Sequence, residues 1–133
     1  MKPVKAILFT LTFSLILFAC KKDKHVPPNV SLKTIMGYTS GDVTVSQDTT
    51  LKVGFVADKT EDELKTFNVS HGYDGASTTI SDTTVALADA EADHYDYDYM
   101  VTTRSQAGTE KWIFTITDRD GNIAQKTVTL TVQ

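Results

Sequence analysis

An all-β fold, an antiparallel Greek-key β-sandwich of seven or eight strands, is predicted by three observations on this sequence. Beyond residue 29 the chain is rich in threonine and valine and is punctuated by glycine, aspartate and asparagine. Apolar and polar residues alternate with period two, while the 3.6-residue period of an amphipathic helix barely occurs. Turn signals recur roughly every eight to twelve residues, the spacing of short strands that run back and forth.

The elements follow in order. "VSLKTIM" (30–36) reads as a first strand and "VTV" (43–45) as a short edge piece. "TLKVGFVA" puts Leu51, Val53, Phe55 and Ala57 on one face, with Lys52 and Gly54 on the other. "KTEDE" (59–63) is a charged loop that leads into "LKTFNVSH". "GYDG" (72–75) reads as a turn, followed by two short runs, "STTIS" and "TTVALA", and by the acidic connection "ADAEAD". "HYDYDYMV" then alternates cleanly, with Tyr95, Tyr97, Tyr99 and Val101 on one side. Finally "EKWIFTIT" and "IAQKTVTLTV" flank "DRDGN", a hairpin loop in which Gly121 supplies positive φ. Trp112, Phe114 and Ile116 share one face, as do Val128, Leu130 and Val132.

The closing "WIFTITDRDGNIAQKTVTLTV" resembles the last hairpin of bacterial immunoglobulin-like, PKD-like and cadherin-like domains, which makes the expected sandwich immunoglobulin-like. The paired cysteines of antibody domains are absent, so the resemblance is to the disulfide-free bacterial branch.

The chain begins differently. Lys2 and Lys5 precede an apolar run from Ala6 to Ala19. That run is shorter than the roughly 20 residues of a bilayer span, as in a secretory signal peptide. The lysines orient it with its N-terminus in the cytoplasm; the alternative is an uncleaved anchor. "LFAC" (17–20) resembles the bacterial lipobox, which implies cleavage after Ala19 and lipid attachment to Cys20. Phe18 departs from the small or β-branched residue usual there. Cys20 is the only cysteine, so no intramolecular disulfide can form. A buried apolar cysteine needs a core around it, and the polar "KKDKHVPPN" offers none.

These features divide the chain into a signal peptide (1–19), a lipidated tether (20–29) with a Pro27–Pro28 pair favouring extended chain, and one sandwich domain (30–133). Lys21 rather than aspartate follows the cysteine, so the inner-membrane retention signal of enteric lipoproteins is missing. The lysine-plus-acid cluster resembles the export signal of surface lipoproteins in Bacteroidetes. The whole organisation resembles small outer-membrane lipoproteins of that group, which implies an outer-membrane protein held through lipid on Cys20. The export-signal resemblance favours exposure on the cell surface, and the periplasm-facing side is the alternative.

Composition narrows the function. Residues 30–133 carry 16 acids against eight bases, a net charge of −8. A nucleic-acid binder needs a basic face, so that class is excluded. There is no G-x-S-x-G, HExxH, P-loop or dinucleotide fingerprint, and the three histidines show no metal-ligand spacing. No cofactor and no catalytic residue are therefore expected.

Four sets of candidate residues remain. "HYDYDY" offers either a sugar-stacking platform or a core row, and the parity shared with Val101 favours the core. Tyr38 and Tyr73 fall in turn-like segments and are the candidate ligand-binding aromatics. Asp118, Asp120 and Asn122 in "DRDGN" are weak calcium candidates, as in cadherin-like modules, although aspartate and asparagine also build hairpin turns without metal. An EF-hand is excluded, because Thr129 stands where its bidentate glutamate belongs. Asp48-Thr49-Thr50 and Asp82-Thr83-Thr84 resemble the Bacteroidetes O-glycosylation signal, with Thr49 and Thr83 as acceptors expected in turns just before strands.

The expectation is a non-enzymatic, lipid-anchored module that binds a neutral glycan or a surface protein. The alternatives are a structural spacer and a calcium-binding module. An exposed apolar or aromatic patch discriminates between binder and spacer.

Overall fold

The computed structural model of the protein describes residues 24–133. The segment read as a signal peptide, the lipidation candidate Cys20 and the first residues of the expected tether lie outside that range. Eight strands form an immunoglobulin-like sandwich: β1 (Asn29–Leu32), β2 (Val43–Val45), β3 (Thr50–Asp58), β4 (Leu64–Tyr73), β5 (Ile80–Ala86), β6 (His94–Thr102), β7 (Gly108–Asp118) and β8 (Ile123–Val132). Three make one sheet in the order β1-β3-β6, and five make the other in the order β2-β8-β7-β4-β5. Every pairing is antiparallel except that of β2 with β8.

Alternation fills the space between the sheets. Val53, Phe55 and Ala57 of β3 and Tyr95 and Val101 of β6 face Phe67 and Val69 of β4 and Trp112, Phe114 and Ile116 of β7. Tyr97 and Tyr99 are partly buried against this core, so the tyrosine row of β6 is a core row, as its parity indicates. Antibody domains bridge their sheets with a disulfide packed on a tryptophan. Here three phenylalanines tie the sheets together. Phe55 and Phe114 stack at 6.2 Å, and Phe67 tilts against Phe55 at 5.0 Å. Such pairs add about 0.5–1.5 kcal/mol each beyond their buried area. The core residues all lie between Val30 and Val132, so the described residues close their own core.

The strands differ from the sequence expectation in three places. β1 ends at Leu32 instead of Met36, because the chain leaves the sheet there and rejoins it at Thr39. The turn expected at 72–75 begins only at Asp74, which takes φ +51, and Gly72 and Tyr73 stay paired with Lys111 and Glu110 of β7. The two runs "STTIS" and "TTVALA" join into the single strand β5, with a bulge opposite Val69 and Ser70 that absorbs one residue. Asp89–Glu91 is one 3-10 turn.

The N-terminal approach is pinned. The Thr60 hydroxyl donates to the carbonyls of Val26 (2.9 Å) and Pro27 (3.1 Å), and Pro28 is buried. Ordered contacts thus begin a few residues before β1, within the stretch read as tether. No helix among the described residues is long and apolar enough to cross a membrane.

Candidate functional site

The outer face of the three-stranded sheet carries a built feature centred on Tyr38. β1 is an edge strand, so the chain can leave it without breaking a ladder on both sides. Lys33 N–H still donates to the Gly54 carbonyl at 2.8 Å, and Thr39 N–H donates to the Lys52 carbonyl at 2.7 Å. Between these anchors the chain loops outward through Thr34 to Gly37. Tyr38 N–H donates to the Ile35 carbonyl at 3.2 Å, and Gly37 has φ +90, as position i+2 of a type II turn requires. Ile35 and Met36 therefore occupy the apex.

The legs of this loop are locked onto the sheet. Lys33 and Tyr38 send their side chains across Gly54, whose missing side chain makes room. A Cβ there would lie 2.7 Å from Lys33 Cγ and 2.8 Å from Tyr38 Cδ1. Beyond Gly54 they reach β6. Lys33 Nζ lies 2.5 Å from Asp96 and 2.8 Å from Asp98, and the Tyr38 hydroxyl donates to Asp98 Oδ2 at 2.6 Å. The bonds to Asp96 and Asp98 hold the Lys33 ammonium well above the usual lysine range. Hydrogen bonds from Lys33 and then Tyr38 hold the Asp98 carboxyl below its usual value. The Lys33 and Lys52 ammoniums sit 5.2 and 4.7 Å from the Tyr38 ring centroid.

The apex is the opposite in character. Ile35 is 64% exposed and Met36 100% exposed. Met100, 55% exposed, projects from the same sheet face two residues along β6 from Asp98 and opposite Lys52. Three large apolar side chains thus stand in water beside a locked polar base. Neither Ile35 nor Met36 was distinguishable in "VSLKTIM", where a strand reading assigns one of them to the core.

Tyr73 sits elsewhere. It ends β4 in the five-stranded sheet, half-buried, with the Arg104 guanidinium 4.4 Å from its ring centroid and His71 packed at 4.7 Å. The structure does not bring Tyr38 and Tyr73 into one site. Around Tyr73 a polar cluster closes one end of the sandwich. Arg104 donates to both Asp74 carboxylate oxygens at 2.7 Å, and Thr109 N–H donates to Asp74 Oδ1 at 2.9 Å. Those bonds, Arg104 first, hold the Asp74 carboxyl below its usual value. Glu110 is fully buried, and its carboxylate accepts from Arg104 N–H at 2.8 Å and from the Trp112 indole at 3.1 Å. His71 and Asp82 meet at 2.5 Å. Glu110 escaped the sequence reading, yet its parity with Trp112, Phe114 and Ile116 was the available signal.

The calcium candidates are engaged in the hairpin. Asp118 is buried, and its carboxylate accepts from Asn122 N–H at 2.8 Å and from the Asn122 amide at 2.9 Å. Gly121 takes φ +89, so the hairpin is built by the residues proposed as ligands. Among the described residues no group of three or more metal-ligating side chains converges, Asp120 included.

Thr49 lies in the turn before β3, half-buried, its backbone bonded to Thr103. Thr83, in contrast, is inside β5 and not before it, because the two expected short runs form one strand; its carbonyl accepts from Asn68 at 3.0 Å.

No protein-family model matches the chain, and no curated protein matches it. Among solved structures the chain is similar to murine CRIg, at 14% sequence identity and a TM-score of 0.45, with 79% of this chain and 98% of that chain covered.

Proposed function

We propose that the chain is a non-enzymatic, lipid-anchored immunoglobulin-like module of the outer membrane, and that it docks a protein partner on the Ile35–Met36 loop. One observation carries this reading: Ile35 and Met36 stand exposed on a loop whose base is fixed by ion pairs and hydrogen bonds, and Met100 stands exposed on β6 of the same sheet. Leaving large apolar side chains in water forgoes about 1.5–3 kcal/mol each, which a covering partner recovers. A fixed base reduces the ordering cost of docking. A pure spacer has no use for such a patch.

Between glycan and protein, the surroundings of Tyr38 favour protein. Its ring is already attended by two ammoniums and its hydroxyl is bonded to Asp98, so a sugar would have to displace them. The other aromatics among the described residues are buried or packed against the core, except Tyr73 at the far cluster. Anchoring rests on the lipobox resemblance of "LFAC".

The test uses the chain from Lys24 onward as bait on solubilised membranes of the producing cell. Met36→Asp abolishes capture, whereas Ile123→Asp, at an exposed position on β8 of the other sheet, retains it. Equal capture by both variants contradicts the docking reading. For the anchor, cells given labelled fatty acid label the full chain, and Cys20→Ala removes the label; a labelled mutant contradicts it.

A further inference from the structure

The domain has two methionines, Met36 and Met100, and both are exposed on the face of the three-stranded sheet. The core is built from phenylalanine, tyrosine, tryptophan, leucine, isoleucine, valine and alanine and contains no methionine. Methionine usually fills gaps in cores or supplies soft, adaptable contacts at binding surfaces. Here only the second placement occurs. All the thioether sulfur of the domain lies on the surface proposed to dock a partner.

We propose that Met36 and Met100 are oxidation sites for hydroperoxides, and that their conversion switches off the apolar character of this surface without disturbing the fold. The consequence for docking rests on the protein-partner reading above; the oxidation itself does not. In the reaction the thioether sulfur attacks one oxygen of hydrogen peroxide. An S–O bond forms as the O–O bond breaks, and the displaced hydroxide takes the proton from the new sulfur-bound hydroxyl and leaves as water. Sulfur is oxidised by two electrons and the peroxide is reduced by two. The product, methionine sulfoxide, is polar and a strong hydrogen-bond acceptor, and it can be returned to the thioether by reductases specific for each epimer.

The geometry sets the order of reaction. Met36, fully exposed at the apex of the type II turn, meets no steric barrier, so it reacts as methionine does in an unfolded peptide. Met100, 55% exposed on a strand, reacts more slowly. Because the loop base is held by lysine–aspartate ion pairs and a tyrosine hydrogen bond, sulfoxide at the apex leaves them in place.

The experiment treats the chain from Lys24 onward with hydrogen peroxide and compares it with the Met36→Leu, Met100→Leu double variant, which keeps the surface apolar at similar volume. Mass mapping follows uptake of one oxygen atom at each site, and retention on a phenyl resin reports the patch without needing any partner. The expected result is Met36 oxidised at the rate of a free peptide, Met100 later, an unchanged melting temperature and earlier elution. The double variant elutes late before and after treatment. Protection of Met36, unchanged retention after full conversion, a lowered melting temperature, or an equal response in the double variant overturns the proposal. Partner capture forms a separate arm, in which oxidised bait loses the captured protein. If untreated bait captures nothing through the loop, the docking reading falls and retention alone decides the oxidation switch.

Discussion

Single residues decide which surfaces of this domain are open. Gly54 is the clearest case, because its missing side chain lets Lys33 and Tyr38 cross the sheet to Asp96 and Asp98. Gly54→Ala pushes both side chains off, which should cost about 1–3 kcal/mol and free Lys33. Faster tryptic cleavage after Lys33, with the rest of the domain still folded, is the expected readout. Asp74 gives a prediction in pH. Arg104 and the Thr109 amide depress its folded pKa below the ordinary 3.8, so the carboxylate's contribution is fully present above that value. It is lost as pH falls through the depressed folded value. Asp74→Asn should therefore be less stable by a full, constant deficit in the neutral region and flatten the acid limb of a melting-temperature profile below about pH 4, where that deficit shrinks. At the alkaline end Tyr95, pushed up to about 12 by burial, behaves in the converse way: its stabilisation holds below the ordinary value of 10 and is lost as pH rises toward 12.

At the scale of the element, alternation was the legible signal and edges were not. "VTV" and "IAQKTVTLTV" form β2 and β8 with the bounds read from the sequence, because both faces of those runs are unambiguous. The Tyr95–Val101 row was readable for the same reason. The end of β1 was not, since nothing local tells a paired strand from an edge strand that lifts off around Gly37. The sequence of β5 looks like two runs because its bulge interrupts the period at Asp82, a consequence of pairing with β4 that only the fold reveals. Gly72, Asp74 and Gly75 around Tyr73 signal a turn, while its cross-strand partner Glu110 keeps it in the sheet. The register of β7 also makes a sharp prediction. Phe114 is fully buried between Phe55 and Tyr99, whereas Lys111 is exposed. Phe114→Ala should destabilise by about 3–5 kcal/mol, and Lys111→Ala by less than about 0.5 kcal/mol, as read from denaturant midpoints. Small, equal losses would contradict the inward row.

For the whole molecule, the two sheets divide the labour. The five-stranded sheet presents to water threonine, asparagine and glutamine, such as Asn68, Thr115 and Gln125, cross-linked by their own hydrogen bonds, with Ile80 and Ile123 exposed singly where β5 and β8 begin. The three-stranded sheet shows paired charges and one apolar apex. The sandwich was visible in the sequence, yet this division was not, because it depends on an edge loop crossing a glycine of the neighbouring strand to reach partners one strand further on. A benzophenone side chain placed at Met36 in the producing cells, with Thr127 on the opposite sheet as control, tests the docking claim most directly. Under irradiation a discrete protein adduct is expected from position 36 and none from position 127. No adduct at 36, or the same adducts at both positions, would contradict it.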